Sequence, residues 1–151
     1  MISMDVNHPD VLEFINIKTD LDKVTSANIS IRVNNDFMRA VKEDDDYILR
    51  WPCNVEVDPD IVENCEYNKL IGIFDIDTNN DVYIKKVKAK ELFTKLVENN
   101  WNYAEPGILY WDRIDNYNLL SMDPEFEYAG VNPCAEEPLP AGGSCLLGSI
   151  N

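Results

Sequence analysis

Residues 27 to 43 constrain the fold more than any other stretch. Ala27-Asn28-Ile29-Ser30-Ile31-Arg32-Val33 alternates apolar and polar side chains, the period of a strand with one buried face. Asn34 or Asn35 follows at once as a helix cap, and Phe37, Met38 and Val41 then recur at helical spacing as far as about Glu43. A similar pair stands before it. Met1 to Val6 reads as a short strand, and Pro9 and Asp10 open a helix whose apolar face is Val11, Leu12, Phe14, Ile15 and Ile17. Strand, helix, strand, helix is the order of an α/β architecture built on parallel strands. His8, just ahead of the first helix, reads as a turn or cap residue, because no carboxylate or cysteine pattern accompanies it.

The remaining segments fit the same class. Lys18 to Ser26 is a polar connection, Asp44, Asp45 and Asp46 a solvated turn, and Tyr47 to Trp51 a short strand. Asp75 to Asp81 superficially resembles a calcium loop. It has Asn80 where glycine makes the sharp turn and Lys86 where a bidentate glutamate is needed, so a polar hairpin turn is the better reading. Val87 to Tyr103 is expected as the clearest helix, with Leu92, Phe93, Leu96, Val97 and Trp101 on one stripe and Lys88, Lys90, Lys95 and Glu98 off it. Pro106 and Gly107 stop it. Ile108 to Trp111 then reads as a buried strand, Asp112 and Arg113 as an ion pair at its end, and Asn116 to Gly130 as a loop.

The charge balance excludes whole classes of partner. A formal net charge of −15 repels nucleic-acid polymers and anionic membranes alike. No apolar run is long enough to span a bilayer and no leader pattern opens the chain, which therefore reads as cytoplasmic. Without export, Asn28-Ile29-Ser30 is a strand sequence and not a glycosylation site. The four cysteines then point to thiol or redox use more than to a disulfide framework. None of them forms a Cys-x-x-Cys pair, so no metal site is expected, and Cys53 and Cys65 receive no role.

The chemistry concentrates near the end. In Asn132-Pro133-Cys134-Ala135-Glu136 three functional side chains alternate, so an extended backbone would send an amide, a thiol and a carboxylate out of one face. An amide can orient a ligand hydroxyl, an ionised carboxylate can take its proton, and a thiol between them can donate hydrogen or act as nucleophile or redox centre. The competing structural reading makes Cys134 a buried inert thiol and Cys145 a small core residue.

Asn132 to Asn151, NPCAEEPLPAGGSCLLGSIN, resembles the active-site region of the ribonucleotide reductase catalytic subunit, most like the adenosylcobalamin-dependent class II branch. Ile2 to Phe14, Ala27 to Val41 and Val87 to Ile114 resemble the same family in the same order, and the likeness fades over roughly residues 52 to 86. The resemblance implies a partial ten-stranded α/β barrel, with residues 1–151 forming one part of the catalytic domain. It also implies roles: Cys134 as the thiyl radical that abstracts the ribose 3′ hydrogen, Glu136 as acceptor of the 3′-hydroxyl proton, and Asn132 as a substrate hydrogen-bonding group. Cys145 would be one of two cysteines that supply reducing equivalents and finish as a disulfide.

By the same resemblance the radical source is adenosylcobalamin, held outside these residues, or else a separate metal-containing subunit. Family catalytic subunits are several times longer, so the chain is expected to be inactive alone, to need the remaining reductase segments or subunits for a ribonucleotide substrate, and to self-associate through open strand edges. Two other functions compete. One is a non-catalytic acidic protein that docks a partner through Pro52 to Asp81 on a reductase-derived scaffold. The other is a thiol redox protein working directly through Cys134 and Cys145.

Overall fold

The computed structural model describes residues 1–20, 22–52, 74–77 and 82–151. Its centre is a parallel sheet of three strands in the order β1 (Ile2–Asp5), β2 (Ile29–Val33), β6 (Gly107–Tyr110). Ile2 stands opposite Ile29 and Met4 opposite Ile31 on one side, and Ile31 stands opposite Ile108 on the other. In this middle strand Ile29, Ser30, Ile31 and Val33 are buried, while Arg32, on the same face as Ser30, is half-buried. Of the polar positions in this alternation Asn28 is exposed and Arg32 half-buried, as expected from sequence, but Ser30 is buried.

Helix α1 (Val11–Asn16) and helix α2 (Asn35–Glu43) follow their strands as the sequence order requires. Asn34 is the cap of α2, its Oδ1 accepting from the Phe37 amide at 2.7 Å, while Asp44 ends the helix in a left-handed conformation. Phe37 is fully buried and packs edge-on against Tyr47, with ring centroids 5.1 Å apart. The Tyr47 hydroxyl joins Asn7 and Asn34 in a half-buried polar cluster, and desolvation raises its pKa above the usual tyrosine value.

A second, antiparallel sheet has the order β3 (Asp46–Pro52), β5 (Val82–Lys88), β4 (Phe74–Asp77). The β4–β5 pairing agrees with a hairpin, though its turn, residues 78–81, lies outside the described residues. Two expectations change here. Asp46 belongs to β3, paired with Lys88, and not to a solvated turn. Val87 and Lys88 complete that ladder, so the long helix α3 starts at Ala89 and runs to Tyr103.

The core joins both sheets to the helices through Val6, Val11, Ile15, Ile31, Val33, Phe37, Leu49, Val87, Ala89, Leu92 and Leu96. Within α3 the buried positions are Ala89, Leu92, Leu96 and Asn99, whereas Val97 and Trp101 are exposed. Asn99 is tolerated inside because its Nδ2 donates to the Ile15 carbonyl and to Asn16 Oδ1, each at 2.9 Å. Strand β6 ends a residue earlier than expected, and Trp111 begins helix α4 (Trp111–Asn116), its ring 4.9 Å from the Arg32 guanidinium. Asp112 does not pair with Arg113 as expected. Its Oδ2 accepts from the Asn35 amide at 2.7 Å, at the start of α2.

Candidate active site

The residues singled out from the sequence lie on a hairpin of β7 (Tyr128–Val131) and β8 (Pro138–Pro140). Val131 pairs with Pro138 and Tyr128 with Pro140, with a bulge at Ala129. The segment between the strands is not extended. The Ala135 amide donates to the Asn132 carbonyl at 3.0 Å, closing a turn with Pro133 at its second position, and Ala135 takes the left-handed conformation with φ of 66°. The alternation of Asn132, Cys134 and Glu136 therefore does not place three side chains on one strand face. Asn-Pro is a strong turn initiator, because asparagine can bond forward to the backbone and proline fixes the next φ, and that signal outranks a period of two over five residues.

The turn divides the three groups. Asn132 is buried, 7% exposed, while Cys134 and Glu136 are exposed. The Asn132 amide donates to the Glu137 carbonyl at 3.2 Å, and Asn132 Oδ1 accepts from the Glu137 amide at 3.0 Å. Asn28 Nδ2 donates to the Pro133 carbonyl at 3.3 Å, tying the turn to the residue just before β2.

Beyond β8 the Gly143 amide donates to the Pro140 carbonyl at 3.0 Å, and Gly142, with φ of 75°, supplies a backbone conformation that other residues adopt with strain. The chain then passes Asn132, whose Nδ2 lies 3.9 Å from the half-buried Cys145 Sγ. Cys145 also meets a group not singled out from the sequence. The Glu137 side chain, then burial and the charges of Glu137 and Glu136, push the Cys145 thiol pKa up, against the opposite pull of Asn132. A hairpin reading of the turn would have found Glu137, since it pairs with Asn132 across it.

Elsewhere, His8 Nδ1 accepts from the Asp10 amide at 3.1 Å in the turn before α1, where Asp10 is the N-cap, so His8 is a turn residue and not the cap. Cys53 and Cys65 lie outside the described residues, as does most of Pro52 to Asp81. Among the described residues no group of His, Cys, Asp and Glu could hold a metal ion, and no helix is long and apolar enough to cross a membrane.

A parallel α/β sheet with a separate hairpin that bears the exposed Cys134, and with the half-buried Cys145 just beyond it, defines an α/β domain with two free thiols close in sequence. Over residues 1–151 the sequence matches the family described as ribonucleotide reductase, barrel domain, and the chain belongs to that family. It is 33% identical to a vitamin B12-dependent ribonucleoside-diphosphate reductase of Thermoplasma acidophilum, over 98% of this chain and 16% of the relative. A vitamin B12-dependent ribonucleotide reductase of Streptomyces avermitilis is 31% identical over the whole chain and 15% of its own length. A putative ribonucleoside-diphosphate reductase large subunit of Frog virus 3 is 24% identical over 98% of this chain and 23% of its own length. The chain thus spans under a quarter of each of these relatives.

Proposed function

We propose that this chain is the portion of a ribonucleotide reductase that carries the radical thiol, and that with the rest of the barrel it reduces ribonucleotides to 2′-deoxyribonucleotides. The observation that supports this best is the Asn132–Ala135 turn. It offers Cys134 uncovered, with Glu136 exposed two residues on, while Cys145, just beyond the hairpin, is half-buried near Asn132. Two thiols in unlike environments suit two unlike tasks.

In this reading Cys134 gives up its hydrogen atom to an external radical source and, as a thiyl radical, takes the hydrogen from C3′ of the ribose. Glu136 takes the 3′-hydroxyl proton, and Asn132, whose Oδ1 is occupied by the Glu137 amide, offers the substrate its Nδ2 donor. The 2′-hydroxyl leaves as water. Cys145 and a second thiol supply two electrons and two protons and end as a disulfide, after which Cys134 returns its hydrogen to C3′ and Glu136 returns its proton.

The names of the relatives support adenosylcobalamin as the radical source, with a separate metal-containing subunit as the alternative. Adenosylcobalamin would supply a radical able to take the thiol hydrogen atom; from this chain the requirement is an accessible sulfur, which Cys134 meets. The partners are the remaining reductase segments or subunits, and the site of action is the cytoplasm.

The test is complementation. Alone, the chain forms no deoxyribonucleotide with any cofactor, because the reaction needs every group held against the substrate at once. Mixed with the remainder of the reductase it turns over, and Cys134→Ser abolishes turnover while leaving assembly intact. Turnover by the isolated chain, or by the assembled Cys134→Ser variant, overturns the proposal.

A further inference from the structure

A hydrogen bond joins the turn that carries Cys134 to the parallel sheet. Asn28 Nδ2 donates to the Pro133 carbonyl at 3.3 Å, across 105 residues of sequence. Asn28 is itself anchored: its carbonyl accepts from the Ile2 amide at 2.8 Å, and Ile29, the next residue, is buried in β2. The carbonyl it holds belongs to the peptide between Pro133 and Cys134. That group is planar and rigid, so fixing its oxygen also fixes the plane that carries the Cys134 amide. It is also the middle peptide of the Asn132–Ala135 turn. Proline at the second position suits both common turn types, which differ by a flip of this peptide. The flipped form needs a left-handed Cys134, and Cys134 lies outside that region. In the unflipped form the carbonyl is where Asn28 reaches it.

We propose that Asn28 is a positioning residue for Cys134: by holding the Pro133 carbonyl it keeps the turn in the one form that aims the thiol. This rests on the reading of Cys134 as the radical thiol. Hydrogen-atom transfer depends on how sulfur and the carbon-bound hydrogen are placed, so a turn that samples two peptide orientations reacts from only part of its population. Residues of the turn do not make this choice themselves. Proline accommodates both forms, and the Asn132 side chain is directed to the Glu137 amide. The choice comes from the sheet, through Asn28. Its bond is open to solvent, so it biases the turn and does not lock it.

The Cys134 amide reports the held peptide directly. Nitrogen relaxation on the 151-residue chain, in dilute low-salt solution, should give this amide an order parameter of about 0.85, the value of rigid backbone. In Asn28→Ala it falls toward about 0.6 or the signal gains exchange broadening from a slower flip. The amides of Ile31 and Val33 in β2 stay unchanged and show that the sheet is kept. Asn28→Asp, which has the same shape without the amide donor, behaves as Asn28→Ala does. In the assembled reductase both variants lower kcat roughly two- to tenfold with KM unchanged, the range that one hydrogen bond supports. Asn28→Gln, which keeps the donor on a longer arm, restores part of that loss. A Cys134 amide equally rigid in the parent, Asn28→Ala and Asn28→Asp overturns the proposal. So does a raised KM at unchanged kcat, which would place Asn28 in substrate binding. Because relaxation needs no turnover, a failed reductase reading shows only in the Cys134→Ser complementation and leaves the held turn standing.

Discussion

At Asp46 one carboxylate meets two ammonium groups, Lys86 Nζ at 2.6 Å and Lys88 Nζ at 2.7 Å. Residues 86 and 88 lie on one face of β5, so both reach across to the same partner strand. Their hydrogen bonds hold the Asp46 carboxyl below its usual range, and Asp46 in turn raises Lys88. The carboxyl binds its proton less readily in the folded state, so its contribution is present at neutral pH and is lost as pH falls through the lowered value. The lysine contribution is lost at the other end, as pH rises past the raised ammonium value. All three groups meet solvent, so the effect is modest and salt-sensitive. Asp46→Asn should therefore lower the melting temperature at neutral pH and low salt, and the gap from the parent should close in strong acid or concentrated salt. A gap that persists in strong acid would show that the charge of Asp46 is not its source.

Helix α3 shows which parts of an element a sequence can carry. Leu92 and Leu96 were legible as core because apolar residues four apart share a helical face, and both are buried. Asn99 was not, since its burial depends on two acceptors that α1 provides at long range. Trp101 misled in the opposite sense: its apolar ring falls near the stripe, but it is 87% exposed. Leu96→Ala should cost about 2–5 kcal/mol, whereas Trp101→Ala should stay within about 0.5 kcal/mol. Urea unfolding of the two variants checks this, and equal losses would place the core on the wrong side of the helix. The β7–β8 hairpin teaches the same lesson. The identities of Asn132, Cys134, Glu136 and Cys145 were plain in the sequence, but their disposition depends on bonds across the turn from Asn132 to Glu137 that no local period records. The strand and helix order of residues 1–43 was legible because capping and periodicity are both local. The burial of Ser30 was not, because it depends on a close approach at long range: Gly107 of β6 lies so near that a side chain there would meet Ser30 Oγ.

Across the molecule, three of the described strands form an open parallel sheet in which, among the described residues, β1 and β6 each have one neighbour. Such edges expose unpaired amides and carbonyls that can accept another strand. Large apolar side chains add to this, among them Leu119, Met122, Leu146 and Leu147, all at least 85% exposed. The net charge of −15 opposes contact between two copies. These forces respond differently to salt: ions screen the repulsion, while apolar burial and strand pairing remain. The purified chain should therefore self-associate, its weight-average mass in sedimentation rising with protein concentration and rising further with added salt. The remaining reductase segments should suppress that association by occupying the same surfaces, leaving a mixed complex of fixed stoichiometry. A monomer at all concentrations and salt levels would mean that these edges and apolar side chains do not drive association, and the assembly argument would then have to rest on the hairpin alone.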